Sequence, residues 1–166
     1  MVTRITSGGF LVCGNRVLLM KRGLHKKLAP GLWAGVGGHM DLTDIKDPRA
    51  LDLVETCYRE IYEETGISKA DIHNLRLRYV AIRRAVGEIR IHYHHIGEVA
   101  VEFPLPMCNE GELYWVDKKD IPGLPMPTTI NEAMMHWLAN PNSDEVYLIA
   151  INKANDAATV VPLYLV

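Results

Sequence analysis

The segment Arg59-Glu60-Ile61-Tyr62-Glu63-Glu64-Thr65-Gly66-Ile67 constrains this chain more than any other. Its three carboxylates fall at i, i+3 and i+4, so on a helix they share one face and repel one another. Leu53, Cys57 and Ile61 recur at the spacing of an apolar helix stripe, which leaves Glu60, Glu63 and Glu64 facing elsewhere. The helical pattern runs from Pro48, a residue suited to a first turn, to Thr65, and Gly66 stops it. Two readings of the acidic face stay open. It is a solvated surface, or it seats a hard cation such as Mg²⁺, which takes carboxylate oxygens and keeps several waters.

The stretch Leu32 to Met40 is short and glycine-dense, which predicts backbone passing very close to something else. A basic loop, Arg22 to Gly31, with His25, Lys26 and Lys27, precedes it. Ahead of that loop, residues 3–13 and 16–22 are apolar runs split by Gly14-Asn15, a hairpin signal. Strands are expected at Leu75 to Ala85, Ile89 to Val101 and Gly111 to Val116. Thr128 to Leu138 reads as a second helix with its stripe at Ile130, Met134 and Leu138. Glu145 to Asn152 and Thr159 to Val166 read as a closing hairpin about Asn155-Asp156.

No repeat, linker or low-complexity segment interrupts the 166 residues, so one mixed α/β domain over 1–166 is expected. A net charge of −2 gives no reason to expect a nucleic-acid polymer as partner, although a local basic patch suits a small polyphosphate. Cys13, Cys57 and Cys108 form no Cys-x-x-Cys pair, which points to free thiols in a reducing compartment. The run Phe10 to Cys13 is far shorter than a signal peptide or membrane span requires, so a cytoplasmic location is expected and no membrane partner.

Arg59 to Ile67 resembles the second half of the Nudix box, R-E-U-x-E-E-x-G-U with U aliphatic, at every fixed position. Gly37-Gly38 is similar to the glycines that open the box. Arg16 to Arg22, Gly31 to Gly38 and Glu110 to Val116 resemble the approach strand, loop and late Trp strand of nucleoside-triphosphate-cleaving members. The resemblance covers most of residues 5–140 and implies an α/β/α sandwich with a mixed central sheet, ending here in a C-terminal β-hairpin. One departure stands out. Gly38 and Arg59 lie 21 positions apart, seven more than the family spacing, and Leu51 falls where the family has a Glu that braces the helix Arg. Asp41, Asp44, Asp47 and Glu55 are the candidate replacements.

The resemblance implies roles residue by residue. Glu60 and Glu64 would be the main ligands of Mg²⁺ (or Mn²⁺), with Glu63 a further ligand and the Gly37 carbonyl completing the shell. Glu110, with Glu112 as second choice, would be a later ligand or the general base, and Arg59 would serve the catalytic helix. Which of Glu63, Glu64 and Glu110 takes the proton of the attacking water is left open. Arg22, Lys26 and Lys27 either meet substrate phosphates, beside Gly38, or are simply solvated. Trp33 either lines a base pocket or packs in the core. His92 and His94 share a strand face, yet lack a further ligand at suitable spacing and read better as sheet surface or pocket wall.

The expected reaction is Mg²⁺-dependent cleavage of a nucleoside triphosphate to monophosphate and pyrophosphate, with 8-oxo-dGTP as the oxidised-purine candidate. Ala34 and Pro127-Thr128-Thr129 replace polar groups that vertebrate-type enzymes use on the base edge, which weakens that purine preference. ADP-ribose, nucleotide sugars and dinucleoside polyphosphates stay open as substrates. A non-catalytic nucleotide-sensing module is the alternative from another class. The apolar terminal hairpin either extends the sheet or makes a homodimer contact.

Overall fold

The computed structural model describes residues 1–45, 53–152 and 157–164. Nine strands, β1 (Val2–Cys13), β2 (Arg16–Arg22), β3 (Trp33–Ala34), β4 (Val36–His39), β5 (Ile72–Ala85), β6 (Glu88–Val99), β7 (Gly111–Asp117), β8 (Val146–Asn152) and β9 (Ala157–Leu163), form one mixed sheet. Among the described residues two α-helices accompany it, α1 (Val54–Thr65) and α2 (Thr128–Ala139). Along the main path the strand order is β3-β2-β1-β6-β5-β8-β9, with β4 paired to β1 and β7 to β2. β1 runs parallel to β6, and β5 parallel to β8; the other pairs are antiparallel.

The alternation of side chains along a strand explains the layering. Phe10, Val12, Val17 and Leu19 join one core with Ala133, Met134 and Trp137 of α2. Leu11, Leu18 and Met20, one residue out of phase, join a second core with Cys57 and Ile61 of α1. The helices therefore cover opposite faces of the sheet. This is the sandwich that the sequence predicts.

Strand positions agree with expectation to within a few residues, and the glycine-dense stretch becomes β3 and β4. Gly37 lies opposite Gly8 in the β1–β4 register, and a methyl group on Gly37 would overlap the Gly8 Cα and the Ser7 carbonyl. That is the close backbone approach the glycines announce.

Three expectations need correction. The helix does not run unbroken from Pro48. Leu53 adopts a left-handed conformation (φ 54°) immediately before Val54, and Pro48 itself lies outside the described residues. Cys57 and Ile61 are buried as expected, but Glu64 is buried beside them at 8 % exposure rather than facing elsewhere. Position 64 continues the stripe one turn beyond Ile61, so its burial follows from helix geometry. In α2 the most buried side chains are Ala133, Met134 and Trp137, while Ile130 and Leu138 sit at its margin. Trp137 lies one turn beyond Ala133 and Met134 and shares their face. The hairpin turn at Asn155-Asp156 and the residue Asp47 also lie outside the described residues. β9 is an edge strand, with Val161 and Leu163 exposed and Pro162 between them.

Candidate active site

The site assembles where β4 meets α1. Glu64 Oε2 accepts a hydrogen bond from the Gly37 N–H at 3.0 Å. Burial pushes the Glu64 carboxyl up to about 8; the Gly37 N–H opposes that shift, Glu60 and Glu110 add to it, and Arg22 opposes it. Glu60 is raised as well, chiefly by burial. Gly38 makes room for it, because a methyl group there would overlap the Glu60 carboxylate. The fields of Glu60, Glu110 and Arg22 all reach Glu64, so residues distant in sequence converge on one carboxylate.

Arg59 organises the outer side. Its Nε donates to Asp44 Oδ1 at 3.0 Å and its Nη2 to Asp44 Oδ2 at 2.9 Å, a bidentate pair. Nη2 also donates to the His39 carbonyl (2.9 Å), and Nη1 donates to Glu60 (2.8 Å) and Glu63 (3.2 Å). Asp44 is itself fixed. It ends a single 3₁₀ turn, Leu42–Asp44, capped by Asp41, and its Oδ2 accepts from the Asp41 N–H (3.0 Å) and the Thr56 hydroxyl (2.9 Å). The Arg59 hydrogen bonds, with those from Asp41 and Thr56, hold the Asp44 carboxyl down at about 2. Of the four candidate braces, Asp41 caps the turn, Glu55 pairs with Lys69 (2.6 Å), and Asp47 is not described; Asp44 is the one on Arg59. The segment that follows Gly38 thus carries, in Asp44, a brace back to the helix.

Glu110 is half-buried and ion-paired with Lys26 at 2.5 Å, while Glu112 is exposed and bonded to the Tyr114 hydroxyl. The basic loop is tied to this segment by Gly23 N–H to the Glu110 carbonyl (2.9 Å) and by His25 to the Asn109 carbonyl (3.1 Å). Arg22 donates to the Leu28 carbonyl at 3.0 Å, and Lys27 is exposed. Trp33 leans on Tyr114, ring centroids 5.2 Å apart, at the margin of the core under α2, the arrangement of its core-packing reading. Glu63 is exposed apart from its Arg59 bond.

His94 is enclosed rather than sheet surface, while His92 is partly exposed. His94 and His95 are buried, His92 and His94 have ring centroids 4.1 Å apart, and His94 stacks on Phe10. His92 Nδ1 lies 2.5 Å from the Thr6 hydroxyl. Burial lowers His92 to about 4 and His94 well below its ordinary value, so both are neutral near pH 7. No group of three or more His, Cys, Asp or Glu side chains among the described residues has metal-site geometry as it stands. No helix among them is long and apolar enough to cross a membrane.

A family model described as NUDIX domain matches residues 3–139. No curated protein sequence matches the chain significantly. Among solved structures, the mutator protein MutT from Bacillus halodurans is similar at 21 % identity with a TM-score of 0.65, covering 96 % of this chain and 97 % of that one. A NUDIX hydrolase from Nitrosomonas europaea is 18 % identical with a TM-score of 0.69, covering 92 % and 81 %. An Ap4A hydrolase from C. elegans is 14 % identical with a TM-score of 0.61, covering 85 % and 98 %. At these identities the structures speak for the fold.

Proposed function

Because the chain belongs to the Nudix family and is a Nudix pyrophosphohydrolase, we propose that it cleaves a nucleoside triphosphate to monophosphate and pyrophosphate. In this reading Glu60, Glu63 and Glu64, with the Gly37 carbonyl and Glu110, hold Mg²⁺ or Mn²⁺. The observation that carries it is the buried Glu64 carboxylate, flanked by Glu60 and reached by the field of Glu110. Carboxylates drawn together at the end of a helix fit a hard divalent cation, which relieves their mutual repulsion. When bound, the metal supplies neutralisation of charge building on the phosphoryl oxygens and helps the attacking water ionise.

The protein's own groups do the positioning. Arg59 holds Glu60 and Glu63 in place, and Asp44 holds Arg59. Lys26 and Arg22 offer positive charge beside Glu110 and Glu64. A polyphosphate gives Lys26 a more highly charged partner than Glu110, and the freed Glu110 carboxylate is then able to accept a proton. Glu63 and Glu64 are the competing acceptors. Oxidised purine triphosphates such as 8-oxo-dGTP are the first substrate class to test, followed by ADP-ribose, nucleotide sugars and dinucleoside polyphosphates.

The test is product release from that panel with Mg²⁺, with EDTA, and with the Glu64→Gln variant. Metal-dependent turnover of one class, abolished in the variant, is the expected result and names the substrate. Tight nucleotide binding with no turnover of any compound would replace the hydrolase by a sensing module. Thermal stabilisation by Mn²⁺ alone, lost in Glu64→Gln, checks the ligand set without relying on activity.

A further inference from the structure

Away from the carboxylates, β5 carries a second charged side chain in an unusual setting. In the β5–β6 register Leu77 lies opposite His95 and Tyr79 opposite His94, so Arg78 is an extra residue. Such a bulge re-aims the side chain it carries. Arg78 is 1 % exposed, and among the described residues neither its Nε nor its Nη2 has a hydrogen-bond partner. Arginine stays charged in proteins, and burying an ionised fork without partners is strongly unfavourable.

Arg78 lines a cavity of about 240 Å³ together with Arg76, Asn74, Glu98, Trp137 and Pro141. Arg76 is paired with the exposed Asp144, and Glu98 accepts from the Asn74 amide at 3.5 Å, so neither carboxylate is hydrogen-bonded to the Arg78 fork. The volume falls just below the roughly 300–1,000 Å³ typical of pockets for drug-sized ligands, and so suits a smaller molecule. The cavity reaches Val12, opposite Glu98 in the β1–β6 register, whereas the active-site glycine contact is at Gly8. Four residues along β1 is about 13 Å. The cavity also lies beside Trp137, on the α2 face of the sheet, opposite the Glu helix.

We propose that this cavity binds a small oxyanion, the phosphate or carboxylate head of a metabolite, gripped by the planar Arg78 fork with Arg76 and Asn74 beside it. A guanidinium matches such oxygens bidentately, which a point charge does not. Trp137 and Pro141 provide an apolar wall for the rest of the molecule. Nothing in the proposal depends on the active-site reading.

The experiment titrates the full chain in EDTA, so that no metal recruits anions to the carboxylate site. Inorganic phosphate and butyrate are the probes, with potassium chloride matched for ionic strength. Either probe raises the Tm by several degrees over the chloride control and shifts the Arg78 Nε–Hε resonance; Arg78→Met weakens binding at least tenfold. Response to phosphate alone identifies a phosphoryl head, and to butyrate alone a carboxylate. Glu98→Gln, which removes a like charge from the lining, tightens binding several-fold. A resonance that neither probe moves, or a Tm rise equal in Arg78→Met, overturns the site. So does a Glu98→Gln protein that is destabilised and no longer responds, since Glu98 would then be the partner of Arg78.

Discussion

Arg59 and Arg78 carry the same guanidinium into opposite surroundings. Arg59 is partly open to solvent, yet its nitrogens donate to Asp44, Glu60, Glu63 and the His39 carbonyl. Arg78 is almost wholly enclosed, yet two of its nitrogens donate to nothing among the described residues. Saturated bonding fixes a side chain and lets it fix others, so Arg59 acts as a clamp on the Glu helix. An unsaturated fork behind a cavity contributes little to holding the fold together and is available to something that enters. A charge is therefore better judged by its partners than by its burial.

The sharpest way to break the comparison is to destroy the face that Arg59 serves. Ile61 is fully buried between α1 and the sheet, so Ile61→Asp places an unpaired carboxylate in that core. Loss of the cooperative folding transition is expected by circular dichroism; a well-folded variant would mean the helix is rotated differently. Next in size is Glu64→Gln, for which kcat should fall by about 100-fold or more with the fold intact, a loss of about 2.7 kcal/mol in transition-state stabilisation. Activity near wild type in saturating Mg²⁺ would remove Glu64 from the ligand set.

Smaller effects contrast the two arginines directly. Asp44→Asn leaves Arg59 with a weaker acceptor and should cost about 2 kcal/mol in chemical denaturation, with a lowered kcat as Glu60 and Glu63 lose their alignment. The same interaction has a pH signature. Asp44 titrates at about 2 in the fold against 3.8 ordinarily, so its contribution is complete above about pH 4 and is lost as pH falls toward 2. That contribution is about 2 kcal/mol and should vanish from the acid limb of the stability profile in Asp44→Asn. Arg78→Met should move the other way, raising anion-free stability by about 1 kcal/mol, because an apolar side chain replaces an unpaired buried charge. If both variants destabilise equally, the two arginines do the same work and the contrast fails.

The layered sheet and both helices were legible in the sequence because strand and helix periods are local properties. The glycine-dense stretch was legible for a related reason: Gly37 and Gly38 declare that something lies against them, though not that it is Gly8 and Glu60. The burial of Glu64 is not legible locally, because nothing in the sequence shows that the stripe of Cys57 and Ile61 continues through it. Asp44 stood among four equivalent acids, since choosing it requires knowing how the chain between Gly38 and Arg59 folds back. Arg78 was invisible for a different reason. Alternation already gives Arg76 and Arg78 one common face of β5, and both line the cavity; what it does not show is the bulge, a property of pairing with β6, that leaves Arg78 without a partner in the register.

The central strand has a consequence for how such a chain tolerates change. Gly8 and Gly9 adjoin in β1, and added side chains would collide on opposite sides, with the Val36 carbonyl from the first and with Cys57 from the second. Neither glycine has a side chain to offer a substrate, yet Gly8 sets how closely β4 passes and Gly9 how closely α1 seats. A mutational scan scored by turnover should find both positions nearly as intolerant as the glutamates. The same scan scored by substrate contact would give no reason for it.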